Sequence, residues 1–176
     1  MAESVKRLTQ ADGYAAGSTV FIGSAAAILT ALAFEHVGGY APCPLCLIQR
    51  YAYYAAVPAS FVGLIAIAAQ ARMLGGVIFL IVGLLYVANT GLGIYHSGIE
   101  WGFWPGPDTC DTAAQPLAAT TQGLLQSLQA NAVVSCSEAP FRFLMLSFAG
   151  WSAAISAVFS ALALSTANVN LDVGRR

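Results

Sequence analysis

The chain has 176 residues, 58% of them hydrophobic and only 9% charged, with a net charge of −1. A soluble domain carries roughly 25% charged residues, so this chain has too few polar side chains to cover its apolar surface, and the surplus must face lipid. The near-neutral charge supplies neither a basic patch for nucleic acid nor an acidic tail.

Four apolar stretches follow, each near the ~20 residues that carry a helix across a bilayer core of about 30 Å. They are rich in Ala, Leu, Ile, Gly and Val, and too long for barrel strands. The expected fold is an all-α membrane protein: a single domain over residues 1–176, built as a four-transmembrane-helix bundle with two outward loops. The first span runs from about Ala15 to Phe34. It is longer than a signal core and ends in Glu35-His36 rather than a small-residue cleavage site, so it reads as a retained helix. No lipidation motif is expected from the Met1-Ala2 start or the "NVNLDVGRR" end.

A short loop, 35–46, leads into "YAPCPLCLIQRY". Pro42-Cys43-Pro44 is a helix-entry pattern, because proline loses no intrahelical donor at the first helical position. Cys43 becomes a candidate N-cap and Cys46 a first-turn residue, where free N–H groups and the positive end of the helix dipole favour a thiolate. Arg50 lies four residues after Cys46, on the same helix face. There a guanidinium would stabilise the Cys46 thiolate or an anion developing on a ligand. Plainer readings are half of a zinc site, a structural disulfide, and an arginine that snorkels to the headgroups. Zinc is disfavoured by spacing, since 25 residues rather than two to four separate the other two cysteines. A disulfide this tight would close little chain entropy, whereas short Cys-x-x-Cys bridges suit redox exchange. No metal is expected.

The second span covers about Leu47 to Ala69 and the third about Met73 to Tyr95. Within the third, Asn89 reads as an interhelical hydrogen-bonding residue. His36 and His96 close the first and third helices; either offers a hydrogen-bond donor to a ligand, and a histidine at a helix end is usually just solvated. His96 is the better candidate. Glu35 and Glu100 read as solvated.

The long loop, 96–142, opens with "WGFWPGPDTC", a stiff segment whose Trp rings suit the headgroup level. Asp108 and Asp111 flank Cys110 and disfavour its thiolate, which suits a sulfur attacked as a disulfide. "TTQGLLQSLQ" sets Leu124, Leu125 and Leu128 on one side of a helical turn, lying on the membrane or packed on the loop itself. Cys136 is the partner left for Cys110, and a bridge of that length contributes ~3 kcal/mol on the chain-entropy account. Arg142 reads as a headgroup anchor before the fourth span, about Phe143 to Ser165.

Lys6, Arg7, Arg72, Arg175 and Arg176 fall on the side of the termini, and only Arg50 and Arg142 on the other. The positive-inside rule puts both termini in the cytoplasm. All four cysteines then face outward, toward a compartment where disulfides persist.

With "CPLCLIQR" at Cys43 to Arg50, the loop pair Cys110 and Cys136, "FRFLMLSFAGW" before the last helix and four spans in this order, nearly the whole chain resembles the DsbB family of membrane thiol oxidases. The resemblance implies a multi-pass protein of the bacterial inner membrane with periplasmic cysteine loops. Its partner would be a periplasmic DsbA-like thioredoxin-fold protein and its cofactor a quinone, ubiquinone or menaquinone. All four cysteines would be catalytic: the partner attacks Cys110, freed Cys136 attacks Cys43, and Cys46 is left as the thiolate that passes electrons on. Arg50, Cys46 and His96 would bind the quinone. A DsbA-like couple near −120 mV, about 150 mV above thioredoxin, leaves nicotinamide or glutathione uphill as acceptors. Two other readings compete. In a vitamin-K-epoxide-reductase-like quinone reductase the loop cysteines precede the Cys-x-x-Cys, whereas here they follow it. A tetraspanning scaffold would use both pairs as staples. A transporter is disfavoured by the scarcity of ionisable groups within the spans.

Overall fold

The computed structural model describes residues 2–107, 110, 136, 137, 139 and 141–174, with side chains from residue 11 to residue 172. The loop helix expected around Leu124, Leu125 and Leu128 lies outside the described residues, as do Asp108, Asp111, Glu138, Arg175, Arg176 and the side chains of Lys6 and Arg7.

Among the described residues there are four α-helices: α1 (Ala2–His36), α2 (Pro44–Ala68), α3 (Arg72–Glu100) and α4 (Phe148–Gly174). All four contain stretches long and apolar enough to cross a membrane. They pack in a ring in which α3 meets α2 and, most extensively, α4, while α1 closes the ring against α2 and α4. The ring has two kinds of interior. Val20, Ala56, Phe79, Val82, Ala163 and Ala167 make a dry core. Between the helices run polar bonds: Asn89 Nδ2 donates to Ser156 Oγ at 2.9 Å, Tyr53 and Ser156 share a hydroxyl contact at 3.1 Å, and Thr166 Oγ1 donates to the Gly13 carbonyl at 3.0 Å. Apolar packing alone discriminates little between helix and lipid, so small residues and such bonds hold a membrane bundle together. At Gly93 a Cβ would come within 2.9 Å of the Ala153 Cβ and 3.0 Å of its backbone, so glycine permits the closest approach of α3 to α4. Ile22, Leu29, Phe61 and Ile81 point outward, as lipid-facing side chains do.

The helix ends depart from the sequence reading where capping decides them. Helix α3 runs on to Glu100, past the expected end near Tyr95, and stops in a Schellman turn: Gly102 at φ +75 donates to the Ile99 carbonyl and Phe103 to that of Gly98. His96 is therefore inside the helix, a full turn from its end. Helix α4 begins at Phe148 rather than near Phe143. Before it, β1 (Arg142–Phe143) pairs antiparallel with β2 (Leu146–Ser147), Arg142 opposite Ser147 and Phe143 opposite Leu146. The two-residue turn, Leu144-Met145, has both φ angles positive, the geometry that matches the twist of a hairpin. Arg142, read as an anchor beside a helix, sits on this hairpin and is exposed.

Candidate redox site

The site forms where the N-terminus of α2, the last turns of α3 and the two loop cysteines meet. Cys43 is the N-cap of α2, with φ −74 and ψ 164, and Pro44 takes the first helical position. Its sulfur accepts the Cys46 N–H at 3.2 Å, one of the donors a helix start leaves unpaired. His96 and Glu100, four residues apart on α3, face this sulfur. His96 Nε2 lies 3.6 Å from Cys43 Sγ and 3.9 Å from Glu100 Oε1. Gln49 Nε2 meets His96 Nδ1 at 2.9 Å. An amide nitrogen can only donate, so Nδ1 accepts and the ring proton sits on Nε2, aimed at Cys43.

Cys110 and Cys136 are joined as a disulfide, 4% and 1% exposed, while Cys43 and Cys46 are free thiols. The two pairs are in contact: Cys43 Sγ, Cys136 Sγ and a His96 ring nitrogen all lie within 4.8 Å of one another. Leu45 and Ile99 pack around them. In this arrangement the Cys46 thiol, as the largest influence, then His96 and the Cys46 N–H hold the Cys43 thiol down at about 5, against burial, which pushes it up. The sequence reading leaves a thiolate at Cys46 once Cys43 is bonded to Cys136; in the reduced pair described here, the capping sulfur of Cys43 also collects donors that favour its own thiolate.

Arg50 and Cys46 do share a face, and both line a cleft of about 590 Å³ between α1, α2, α4 and the hairpin. Its wall is largely apolar and includes an aromatic cluster, with Phe34 and Phe148 at 5.1 Å and Tyr40 and Phe141 at 6.3 Å between ring centres. Arg50 does not stand alone there: its guanidinium is ion-paired with Glu35 at the end of α1 and reaches the Ala31 carbonyl at 3.4 Å. Glu35 is thus a partner to Arg50 and not simply a solvated acid.

The profile described as "Disulfide bond formation protein DsbB" matches residues 15–166. The chain belongs to the DsbB family. It is 30% identical over 150 residues to "Disulfide bond formation protein B" of Marinobacter nauticus, covering 82% of this chain and 86% of that one. It is 33% identical over 138 residues to the protein of the same name in Sodalis glossinidius, 77% of this chain and 75% of that one. An uncharacterised protein of Rickettsia prowazekii is 25% identical over 122 residues, 69% and 68% of the two chains. No solved structure matches. A DsbB-family chain is a disulfide-bond-forming membrane oxidoreductase, and the scaffold reading falls away.

Two side chains of this DsbB-family site escaped the sequence reading. Gln49 is buried and hydrogen-bonds His96 Nδ1, yet a glutamine in an apolar run carries no local signal. Glu100, read as solvated, has a side chain only 5% exposed, and its Oε2 has no hydrogen-bond partner among the described residues. Its spacing of four residues from His96 was the available clue. His96 itself is 1% exposed rather than solvated.

Proposed function

We propose that the protein oxidises a periplasmic DsbA-like dithiol protein and passes the electrons to a membrane quinone, using Cys110–Cys136 and then Cys43–Cys46. The observation that carries this reading is the meeting of the two cysteine pairs, Cys136 Sγ within 4.8 Å of Cys43 Sγ, beside an apolar cleft lined by Cys46 and Arg50. A scaffold with two staples has no need to bring them into contact.

The thiol steps balance within the chain. A partner thiolate attacks Cys110, the Cys110–Cys136 bond breaks, and Cys136 leaves as thiolate. That thiolate attacks Cys43 of an oxidised Cys43–Cys46 pair, forming Cys43–Cys136 and releasing Cys46. The partner's second thiol then displaces Cys110 and departs oxidised; Cys110 recloses on Cys136, freeing Cys43. Two electrons and two protons now rest on Cys43 and Cys46, the state described above. A low-pKa thiolate at Cys43 is the better leaving group from Cys136.

The cleft suits a quinone, which supplies a two-electron, two-proton acceptor. Its aromatic and aliphatic wall accepts an apolar ring, and its polar groups are few and convergent: Arg50, His96, Cys46 and the unpartnered Glu100 oxygen. Arg50 favours developing negative charge, tempered by Glu35. His96 holds a proton at Nε2 between Cys43 and Glu100.

The test is turnover of the purified chain with a reduced DsbA-like protein and a soluble quinone, following quinol spectroscopically. Cys46→Ser should reduce turnover to background while the protein keeps its helical signal. Arg50→Ala should raise the quinone KM about tenfold, the loss of one charge-assisted contact of about 1.4 kcal/mol. Full turnover in Cys46→Ser refutes the electron route, and an unchanged quinone KM in Arg50→Ala refutes that residue's role.

A further inference from the structure

We propose that reduction of the Cys110–Cys136 disulfide opens a binding site for a thiophilic divalent ion of the zinc type, with Cys43, Cys136 and His96 as ligands. The sequence argued against zinc because 25 residues, rather than two to four, separate Cys110 from Cys136. Folding instead brings one cysteine from each pair together with a histidine, a combination no linear motif announces.

The geometry matches the chemistry. Tetrahedral zinc holds sulfur at about 2.3 Å and nitrogen at about 2.0–2.1 Å, which sets about 3.6 Å between a sulfur and a nitrogen ligand and about 3.8 Å between two sulfurs. Cys43 Sγ and His96 Nε2 are already 3.6 Å apart, and Cys136 Sγ is within 4.8 Å of both ligand positions. All three side chains are 3% exposed or less. Two thiolates left together at that depth would repel; a divalent ion makes the set neutral. The cleft reaches Cys43 and His96 and gives the ion a way in. Three protein ligands leave the fourth position open.

The disulfide is the gate. While it stands, the Cys136 sulfur is committed to Cys110 and only two ligands remain. A dithiol that reduces it supplies two electrons; the S–S bond breaks, and Cys110 and Cys136 become thiols. Entry of the ion then displaces the proton of Cys136 and any proton still on Cys43, leaving two thiolate ligands. His96 must present Nε2 as a lone pair, moving its proton to Nδ1. Gln49 allows this, because its amide can turn its oxygen toward Nδ1–H in place of its nitrogen. Metal would lock the fully reduced protein by holding Cys43 and Cys136 apart from their disulfide partners. That consequence rests on the oxidase reading above; the binding site does not.

Cobalt(II) is the probe, because tetrahedral thiolate ligation gives it visible and charge-transfer bands. The full chain in detergent is titrated anaerobically before and after phosphine reduction. The reduced chain should bind one equivalent, displaceable by zinc, and the unreduced chain none. Cys136→Ser and Cys110→Ser both lack the bridge, so comparing them isolates the ligand from the loss of the staple. Reduced Cys110→Ser should bind as the wild type does, whereas Cys136→Ser and His96→Ala should each bind at least tenfold more weakly. Equal binding by the unreduced chain, no binding by the reduced chain, or binding unaffected by Cys136→Ser would each overturn the proposal. None of these readouts depends on quinone turnover.

Discussion

At the scale of single residues, Cys43 is the centre of the site. Its pKa of about 5 is set first by the Cys46 thiol and then by His96, so the sign of each perturbation is fixed. The thiolate is present at neutral pH and is lost as pH falls through 5. With the Cys43–Cys46 pair reduced, iodoacetamide labelling of Cys43 should therefore keep its plateau rate at pH 6, where an ordinary thiol near 8.5 is only about 0.3% ionised. Cys46→Ala and His96→Ala should both move the midpoint upward, Cys46→Ala by more. A wild-type midpoint above 8, read from the mass of the labelled peptide, contradicts the assignment. Part of this was legible: Pro-Cys-Pro announced the capping sulfur, and the four-residue step placed Arg50 on the Cys46 face. What the sequence could not reveal is contact across the fold. Glu35 reaches Arg50 from another helix, Gln49 looks like a polar lapse in an apolar span, and Cys136 meets Cys43 across 93 positions of chain numbering.

At the scale of elements, helix ends rather than helix existence were the weak point of the sequence. Composition marks a span well, but a terminus is decided by one or two capping residues. Helix α2 shows this. It closes in a Schellman turn in which Ala71 donates to the Ala66 carbonyl at 2.9 Å and Gln70 to that of Ile67 at 3.1 Å. Gln70 takes the left-handed position at φ +65, where glycine is normally found. A side chain there costs about 1–2 kcal/mol, while glycine gives back about 0.5–1 kcal/mol in the unfolded chain. Gln70→Gly should then stabilise the bundle by about 0.5–1 kcal/mol, less what the exposed Gln70–Arg72 hydrogen bonds contribute. Gly93→Val should act the other way. Its side chain would enter the Ala153 backbone, and overpacking of that kind costs about 1–3 kcal/mol. Thermal unfolding in detergent reads both; a Gly93→Val chain as stable as wild type would mean that α3 and α4 do not approach this closely.

At the scale of the whole molecule, the ring of helices gathers the chemistry at one end. The end of α1, the start of α2, the end of α3 and the hairpin before α4 all meet the redox site, while the 69–71 turn lies at the opposite end with the start of α1 and the end of α4. Charge follows the same division. Arg50, a basic residue on the redox side, is neutralised by Glu35, whereas Arg72 at the far turn is half-buried and engages only Gln70 among the described contacts. Five of the seven basic residues of the chain fall on the side of the termini and the 69–71 turn. The expected orientation therefore has the termini and the 69–71 turn in the cytoplasm and the cysteines in the periplasm. In a chain whose four cysteines are changed to serine, a new cysteine at Leu144, 70% exposed on the hairpin, should react with a membrane-impermeant maleimide in intact cells. One introduced at Gln70 should react only after the membrane is opened. The reverse pattern would turn the protein over and separate the cysteines from the compartment in which a dithiol partner needs oxidising.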